Sequence, residues 1–512
     1  MRRDIRIALY IVGIYLAAAL ALFVHRSFVP ILSLTTPKKY YLHYEIIPIE
    51  MRLRHAALHK EWMQNPPDLF VLYNQQVVTT IGGLSHSPMR YDPQRDVWTA
   101  RWPCPWNAPT GFYQPMISVP ENIRFRASLD GFYITRRKPK PLSKHLAVLT
   151  FENVNPLGGM KVKSPSGENK GWQGLLDWTD FTGANAFWIL GGLSPGNTKQ
   201  DPVWVDYNMQ WLPKLGKECH SRGLEFGIWT VAYMTRPGSA PLPRYEYAVD
   251  FKNGDLIPTR AISLRDQQRV RDLTEILQRF EAMPEVDAIG LDYIRNALGG
   301  YELVDDFVQD MPGVRLPSNW NSMTRRERMI HLALRKIARK DHSFIDQWQW
   351  WRAHRVAQVV ESIKRNLRGD KPLWCFTLTW EKGWHHGQDP VMMNDAGVDI
   401  VALMMYEATR EQFDNFMGDW NRYVKRHHVQ LIVGDVVDWP LHQYTQNPTG
   451  PQEFYNRLTD GINHIYGDGK ANGVFLHDLG RALWGRKGPY STKEWLQAGA
   501  SAIQYLKKSP PP

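Results

Sequence analysis

The sequence is poor in cysteine, with three in 512 residues: Cys104, Cys219 and Cys375. They lie far apart, are odd in number and form no Cys-x-x-Cys pair. The sequence therefore indicates neither a disulfide framework nor a zinc knuckle. We expect three buried thiols instead.

Several ligand-binding motifs are also missing. No GxGxxG or GxxxxGK[ST] follows a candidate strand, which argues against dinucleotide and P-loop sites. HExxH does not occur, which argues against zinc-peptidase chemistry. We expect no cofactor and no catalytic metal. A loop that carries His385, His386 and Asp389 leaves a metal-dependent deacetylase open as a weaker alternative.

Charge is in excess on the positive side, with 62 Lys and Arg against 51 Asp and Glu, a net +11. The basic residues are spread along the chain, without a zipper, finger or RNP pattern, so we expect no nucleic-acid partner. The excess is typical of a mildly basic exported protein, and it leaves open an anionic polymer or lipid surface as a partner.

The longest uncharged apolar run, Ile7 to Val24, follows Arg2, Arg3 and Arg6. Its length is close to the minimum that spans a bilayer as a helix, and the preceding arginines predict an N-inside orientation. We expect a single-pass anchor in the inner (cytoplasmic) membrane, with the main body in the periplasm or outside the cell. A cleaved signal peptide is the alternative, because Ala19-Leu20-Ala21 has the form of a cleavage site.

The chain divides into four predicted parts: an anchor over 1–24, a stalk over 25–40, a β-sandwich over 41–138 and a barrel over 139–508. The third is rich in short alternating runs, such as Leu69 to Tyr73, separated by turn residues. This pattern predicts half-buried strands and a small accessory sandwich, which an immunoglobulin-like arrangement would suit.

After the sandwich the periodicity changes to eight apolar runs of strand length that alternate with helical segments. Such alternation predicts βα units with parallel pairing, and eight units predict an α/β fold of the (β/α)8 TIM-barrel class. The runs are His145–Phe151, Ala184–Leu190, Leu224–Val231, Ala288–Ile294, Leu373–Leu378, Ile400–Tyr406, Gln430–Val433 and Gly473–Leu476.

Carboxylates follow these runs, where barrel enzymes carry their active sites. They are Glu152, Asp292, Glu381, Glu407, Asp435, Asp438 and Asp478. Glycosidic hydrolysis needs two carboxyl groups, and runs four and six lie two places apart on the ring, so Asp292 and Glu407 are the predicted catalytic pair. Arg295 could keep Asp292 ionised, but only if the chain bends after the strand.

Aromatic residues are frequent at the same ends, and flat rings with polar edges suit sugar binding. They are Trp188, Trp229, Tyr233, Tyr293, Trp380, Trp384, Tyr406, Trp439 and Trp484. We predict that all of these except Trp484 contact substrate. The predicted substrate-binding set is completed by Glu152, Arg295, Glu381, His385, Asp435 and Asp478.

Gly290-Leu-Asp-Tyr-Ile-Arg295 resembles the fourth-strand motif of a bacterial glycoside hydrolase-like family of (β/α)8 barrels, in which it carries a proposed catalytic Asp. More remotely, Asp287 and Asp292 match the first and third aspartates of the chitinase pattern DGxDxDxE. Ile294 stands where that pattern has its catalytic Glu. Met404-Met-Tyr-Glu407 is similar to the chitinase MxYD.

A carboxylate pair on strands four and six is also similar to α-galactosidase-type barrels. That resemblance implies a nucleophile at Asp292 and an acid/base at Glu407. The leading hypothesis is a membrane-anchored glycoside hydrolase that cleaves a cell-envelope or exported polysaccharide, working beside other envelope polysaccharide machinery. The alternative is a glycan-binding or polysaccharide-assembly protein without turnover on the same barrel.

Overall fold

The fold is described from a computed structural model. It describes residues 10–20, 31–53, 62–106, 108–118, 124–125, 130–143, 145–152, 156–196, 203–205, 208–235, 241–378, 385–407, 429–439, 448–465, 472–485 and 487–508. The chain forms two compact units. The first comprises 1–41, 45–135 and 308–315, and the second 42–44, 136–307 and 316–512.

The first unit contains two β-sheets. One has the strand order Ile31–Thr35, Ile46–Leu53, Val97–Pro103 and Arg90–Asp92. The other has the order Tyr40–Tyr41, Phe132–Ile134, Gly111–Ser118, Asp68–Tyr73 and Gln76–Val77, with Arg124–Phe125 and Ser87–Pro88 paired at its side.

Aromatic side chains join these two sheets. The ring of Trp102, from the first sheet, lies 5.8 Å from the rings of Tyr113 and Phe132 in the second. Alternate residues of the strands are buried, as in Ile46–Leu53, because successive side chains of a strand point to opposite faces. An immunoglobulin-like arrangement stays a prediction.

The second unit is built on a closed barrel of eight parallel strands, as the alternating apolar runs predicted. In order around the ring, the strands are Leu146–Phe151, Ala186–Leu190, Glu225–Val231, Ala288–Asp292, Leu373–Leu378, Ile400–Met404, Leu431–Val436 and Gly473–His477. Leu146 of the first strand pairs with Gly473 of the eighth, and this pairing closes the ring.

Tryptophans fill the inside of the barrel. Trp188 stacks on Trp374 with ring centroids 4.2 Å apart, and Trp229 meets Trp374 edge-on at 5.6 Å. Two strand glycines make room for these rings. A Cβ at Gly290 would lie 2.2 Å from Trp374, and one at Gly227 would lie 2.3 Å from Trp188.

Helices and short connecting elements join the strands. The helices are 10–20, Gln173–Thr182, Leu212–Ser221, Gln267–Glu281, Val304–Asp310, Arg325–Ala338, His342–Arg365, Pro390–Ala396, Pro451–Ile465, Leu479–Trp484 and Thr492–Lys508. Two hairpins join Val162–Lys163 to Asn169–Lys170 and Tyr247–Lys252 to Asp255–Ile262. Short 3-10 turns lie at Ile81–Gly83, Leu157–Gly159, Tyr301–Leu303, Trp320–Ser322 and Met405–Glu407.

Part of the predicted anchor is described, over residues 10–20, as a helix with exposed side chains. The remainder of the run lies outside the described residues. In the ranges given above, no helix combines the length and apolarity needed to cross a membrane. The three cysteines are buried free thiols, as predicted.

We expect Trp188→Ala to destabilise the protein by about 3–5 kcal/mol, because it empties the packed interior of the barrel. The matched control is Trp484→Ala, since Trp484 is 47% exposed. The control should change the free energy of unfolding by about 1 kcal/mol or less. Urea unfolding followed by circular dichroism measures both. Equal losses in the two variants would contradict the interior position of Trp188.

Candidate active site

A cavity of about 470 Å³ opens at the carboxyl ends of the barrel strands. Its polar lining residues follow the first, second, third, fourth and eighth strands, and Arg481 comes from the helix after the eighth. Its walls are largely apolar. The lining residues are Glu152, Leu190, Leu193, Ser194, Pro195, Val231, Met234, Thr235, Tyr293, Asp478, Gly480, Arg481, Trp484 and Gly485.

Asp292 ends the fourth strand beside this cavity and is only 7% exposed. Its Oδ1 accepts the Tyr293 backbone N–H at 2.7 Å. Burial and, secondarily, the negative charge of Glu152 raise the pKa of Asp292 to about 7, against the opposing effects of Arg295, the Tyr293 N–H and His477. Near neutral pH this carboxyl is therefore protonated in a large fraction of molecules.

The chain bends directly after Asp292, as the predicted role of Arg295 required. Tyr293 has a φ of 50°, in the left-handed region that non-glycine residues rarely adopt. The Arg295 N–H donates to the Tyr293 carbonyl at 2.9 Å. The guanidinium carbon of Arg295 lies 4.7 Å from the centroid of the Tyr293 ring, and its charge lowers the pKa of Asp292.

Glu152 follows the first strand and has two basic neighbours. Its Oε2 lies 3.3 Å from His477 Nε2 and 3.6 Å from Arg481 Nη2. Burial alone would raise the pKa of Glu152. The hydrogen bond and charge of His477, with the charge of Arg481, outweigh that effect and hold the pKa below its ordinary value. Glu152 is therefore the ionised partner of Asp292.

His477 ends the eighth strand and is held on both sides of its ring. Its Nδ1 lies 2.9 Å from the Thr150 hydroxyl, which leaves Nε2 to face Glu152. The ring also stacks on Tyr406, with centroids 5.7 Å apart and planes 9° from parallel. Tyr406, a predicted substrate-binding residue, thus supports the histidine that contacts Glu152.

Asp478 caps the helix Leu479–Trp484 and also holds the end of the first strand. Its carboxylate accepts the N–H groups of Gly480 at 2.9 Å, Arg481 at 3.2 Å and Glu152 at 2.9 Å. Burial raises its pKa. Asp478 lines the cavity, and these three bonds give it a structural role as well.

Two side chains that contact Glu152 were not among the predicted site residues, namely His477 and Arg481. Arg481 reaches Asp438, with Nη1 3.0 Å from Oδ2, as well as Glu152. The sequence did contain a signal for the position of His477. Side chains alternate between the two faces of a strand, so Gly473, Phe475 and His477 share the face that points into the barrel. Nothing in the sequence indicated Arg481.

Several predicted site residues lie away from the cavity. Trp188 and Trp229 are fully buried in the barrel interior, so their predicted contact with sugar finds no support in this placement. Tyr233 is also fully buried. Asp435 Oδ2 lies 3.8 Å from Nε of Arg457, on the helix Pro451–Ile465.

The reason for the position of Asp435 is strand alternation. Its neighbour Ile432 belongs to the barrel core, so the side chain at 435 points outward. Burial raises its pKa to about 7. Trp439 packs near Tyr490, with ring centroids 5.8 Å apart, and His385 lines a second cavity.

Four predicted residues cannot be located relative to the cavity. Trp380, Glu381 and Trp384 lie outside the described residues. Glu407 ends the turn Met405–Glu407, directly after the sixth strand, and its side chain is also outside the described part. In the described ranges, no group of three or more His, Cys, Asp or Glu could hold a metal ion.

No protein-family model matches the chain, and no curated protein matches it by sequence. Among solved structures it is similar to an α-galactosidase from Thermus thermophilus, at 12% identity over 89% of this chain and 75% of that one, with a TM-score of 0.36. It is also similar to a chitinase from the chitin utilization locus of Flavobacterium johnsoniae, at 9% identity over 71% and 96% of the two chains, with a TM-score of 0.32. These values describe remote likeness between barrels.

We expect Asp292→Asn to become more stable relative to wild type as the pH rises. The folded carboxyl has a pKa of about 7 and the ordinary value is 3.8, so ionising it opposes folding across that interval. The gain should reach up to about 4 kcal/mol above about pH 7, at about 1.4 kcal/mol per pKa unit. Calorimetry of both proteins across this pH range measures it.

Glu152→Gln is the opposite control, because the folded pKa of Glu152 is lowered. Its ionised form contributes stability above the unfolded pKa, and that contribution is lost as the pH falls through the folded pKa. Glu152→Gln should therefore be less stable than wild type at neutral pH, and the gap should close in acid. A stability difference that does not change with pH in either variant would contradict the assigned protonation states.

Proposed function

We propose that this protein hydrolyses glycosidic bonds at the mouth of its barrel, with Asp292 and Glu152 as the working carboxyl groups. One observation carries the proposal: the two groups interact electrostatically, and their surroundings shift their pKa values in opposite directions. Such a split assigns a proton donor and an ionised partner. Hydrolysis of a glycosidic bond needs one of each.

In the proposed reaction Asp292 gives its proton to the oxygen of the leaving sugar. The carboxylate of Glu152, held by His477, either removes a proton from the water that attacks the anomeric carbon or attacks that carbon itself. In the second case it forms a glycosyl ester, which water then cleaves while giving a proton back to Asp292. Apolar walls that include Met234 and the exposed Trp484 suit the faces of sugar rings. Tyr293 lines the same cavity beside Asp292.

Glu407 remains the alternative partner of Asp292. It follows the sixth strand, and the resemblance to α-galactosidase-type barrels implies an acid/base there and a nucleophile at Asp292. The raised pKa of Asp292 supports the donor role instead, since a nucleophile must be ionised. Separate variants of the two glutamates distinguish these assignments.

The proposed substrate is a polysaccharide of the cell envelope or one that is exported, and the proposed location is the outer side of the inner membrane. The apolar run that follows Arg2, Arg3 and Arg6 supports a membrane anchor. The unit with two sheets would act as an accessory β-sandwich that sets the distance of the barrel from the bilayer.

The central test incubates the purified protein with a panel of envelope and exported polysaccharides and measures reducing ends. Asp292→Asn and Glu152→Gln should each lower the rate by at least about a hundredfold, the usual worth of an acid or base group. Glu407→Gln should lower it less than Glu152→Gln. Full activity in both Asp292→Asn and Glu152→Gln would refute the proposed pair.

A glycan-binding protein without turnover is the second candidate, and the contacts of Glu152 favour it. This carboxylate is engaged by both His477 and Arg481, which leaves less freedom to attack a sugar or water. In that case the same panel would give binding, seen by affinity electrophoresis, and no new reducing ends from any polysaccharide.

We expect the complete chain to sediment with membranes when it is expressed in a bacterial host. Residues 25–512, behind a cleavable secretion signal, should instead appear in the soluble exported fraction, because the apolar run has been removed. Immunoblots of the two fractions measure this. A complete chain found in the soluble fraction and shortened at its N-terminus would indicate the signal-peptide alternative.

A further inference from the structure

We propose that a second cavity of the barrel unit binds a sugar residue that carries an anionic substituent, a carboxylate or a phosphate. The cavity has a volume of about 590 Å³ and is lined by Lys336, Arg339 and Arg352. Asp250 is the one carboxylate among its described lining residues. The identification of the ligand as a sugar rests on the proposed function, whereas the preference for an anion does not.

The charge of Arg352 is buried, and the carboxylates of Glu302 and Asp250 favour it only from a distance. Its side chain is fully buried. Nη1 donates to the carbonyls of Leu298 at 3.2 Å and His385 at 2.8 Å, and Nη2 donates to that of Ala297. Across the described residues, no carboxylate lies within ion-pair distance of this guanidinium. Buried charges in proteins are usually paired, so this one favours an anion nearby.

Lys336 adds a second basic group, which is partly exposed and whose charged form Asp250 favours from a distance. Its Nζ donates to the Leu298 carbonyl, and no described carboxylate forms an ion pair with it. Burial, and then the charge of Arg352, lower the pKa of Lys336 to about 7. A bound anion would offset both effects by favouring the charged amine.

The exposed rim of the cavity, with Leu298 and Ile337, is apolar and suits a sugar ring. Trp348 and Tyr301 lie beside the two cations, with Arg352 Cζ 5.5 Å from the Trp348 ring and Lys336 Nζ 5.5 Å from the Tyr301 ring. Leu298 is 53% exposed at the rim. An apolar rim above a cationic floor matches a ring with one apolar face and one charged substituent.

The cavity also lies near the same end of the barrel as the candidate active site. Leu298 and Tyr301 belong to the connection after the fourth strand, six and nine residues beyond Asp292. His385 belongs to the connection after the fifth strand. An acidic polysaccharide chain could therefore place one unit here while another lies at the catalytic carboxyl groups.

The test titrates the purified complete chain with glucuronate, glucose 6-phosphate, glucose and inorganic phosphate, using calorimetry. Glucuronate or glucose 6-phosphate should bind at least about tenfold more tightly than glucose, since a hydrogen bond to a charged group is worth that much. The tighter of the two identifies the substituent. Equal binding of all three sugars would refute the anion preference, and inorganic phosphate binding as tightly as glucose 6-phosphate would refute the sugar.

Variants locate the binding in this cavity. Lys336→Met should weaken binding of the anionic sugar by at least about tenfold, and Lys336→Arg should restore most of it, which a folding defect would not allow. Lys340→Ala is the control, because Lys340 is exposed nearby and does not line the cavity. Unchanged binding in Lys336→Met would refute the site.

Asp292→Asn separates this inference from the proposed hydrolysis. The variant should bind the anionic sugar as wild type does, because position 292 does not line this cavity. If the wild-type protein binds anionic sugars selectively but hydrolyses none of the polysaccharides, the proposed hydrolysis is rejected and the proposed anion site is retained. If it hydrolyses neutral polysaccharides and shows no anion-selective binding, the anion site is rejected and the proposed hydrolysis is retained.

Discussion

Closure of the parallel barrel is the constraint on which the candidate site depends. Glu152, Asp292 and His477 are far apart in sequence, and they meet because each follows or ends a strand of one ring. The mouth is partly closed to water, so two carboxyl groups there cannot both ionise at their ordinary pKa values. His477 and Arg481 favour the charge on Glu152, and the proton therefore stays on Asp292.

Much of the barrel could be predicted from sequence because its strands are buried on both faces and read as continuous apolar runs. The predicted run Ala288–Ile294 contains the observed strand Ala288–Asp292, and the last residue of this strand lies at the barrel mouth as expected. The predicted effect of Arg295 on Asp292 required a bend after the strand, and this bend lies at Tyr293. It was not predicted on its own, since no local signal forces a tyrosine into the left-handed region.

Some predicted site residues lie away from the cavity, and the reasons are physical. Trp188 and Asp435 lie on barrel strands, but what decides their role is whether the side chain points inward or outward and how deep it lies. Those properties follow from strand register, which is a long-range property. Arg481 was missed for a similar reason. Its contact with Glu152 joins the two ends of the barrel sequence, and only ring closure brings them together.

The central claim is that the carboxyl group of Asp292 holds its proton at neutral pH in a large fraction of molecules. Infrared difference spectroscopy across a pH titration measures this directly, because a protonated carboxyl absorbs apart from a carboxylate. Asp435 has a similarly raised pKa, so the titration is performed in Asp435→Asn. The account predicts a protonated-carboxyl band that is lost near about pH 7 and that disappears when Asp292→Asn is added. Asp478 and Glu302 also have raised pKa values, so the contradicting result is a band near about pH 7 that Asp292→Asn leaves unchanged.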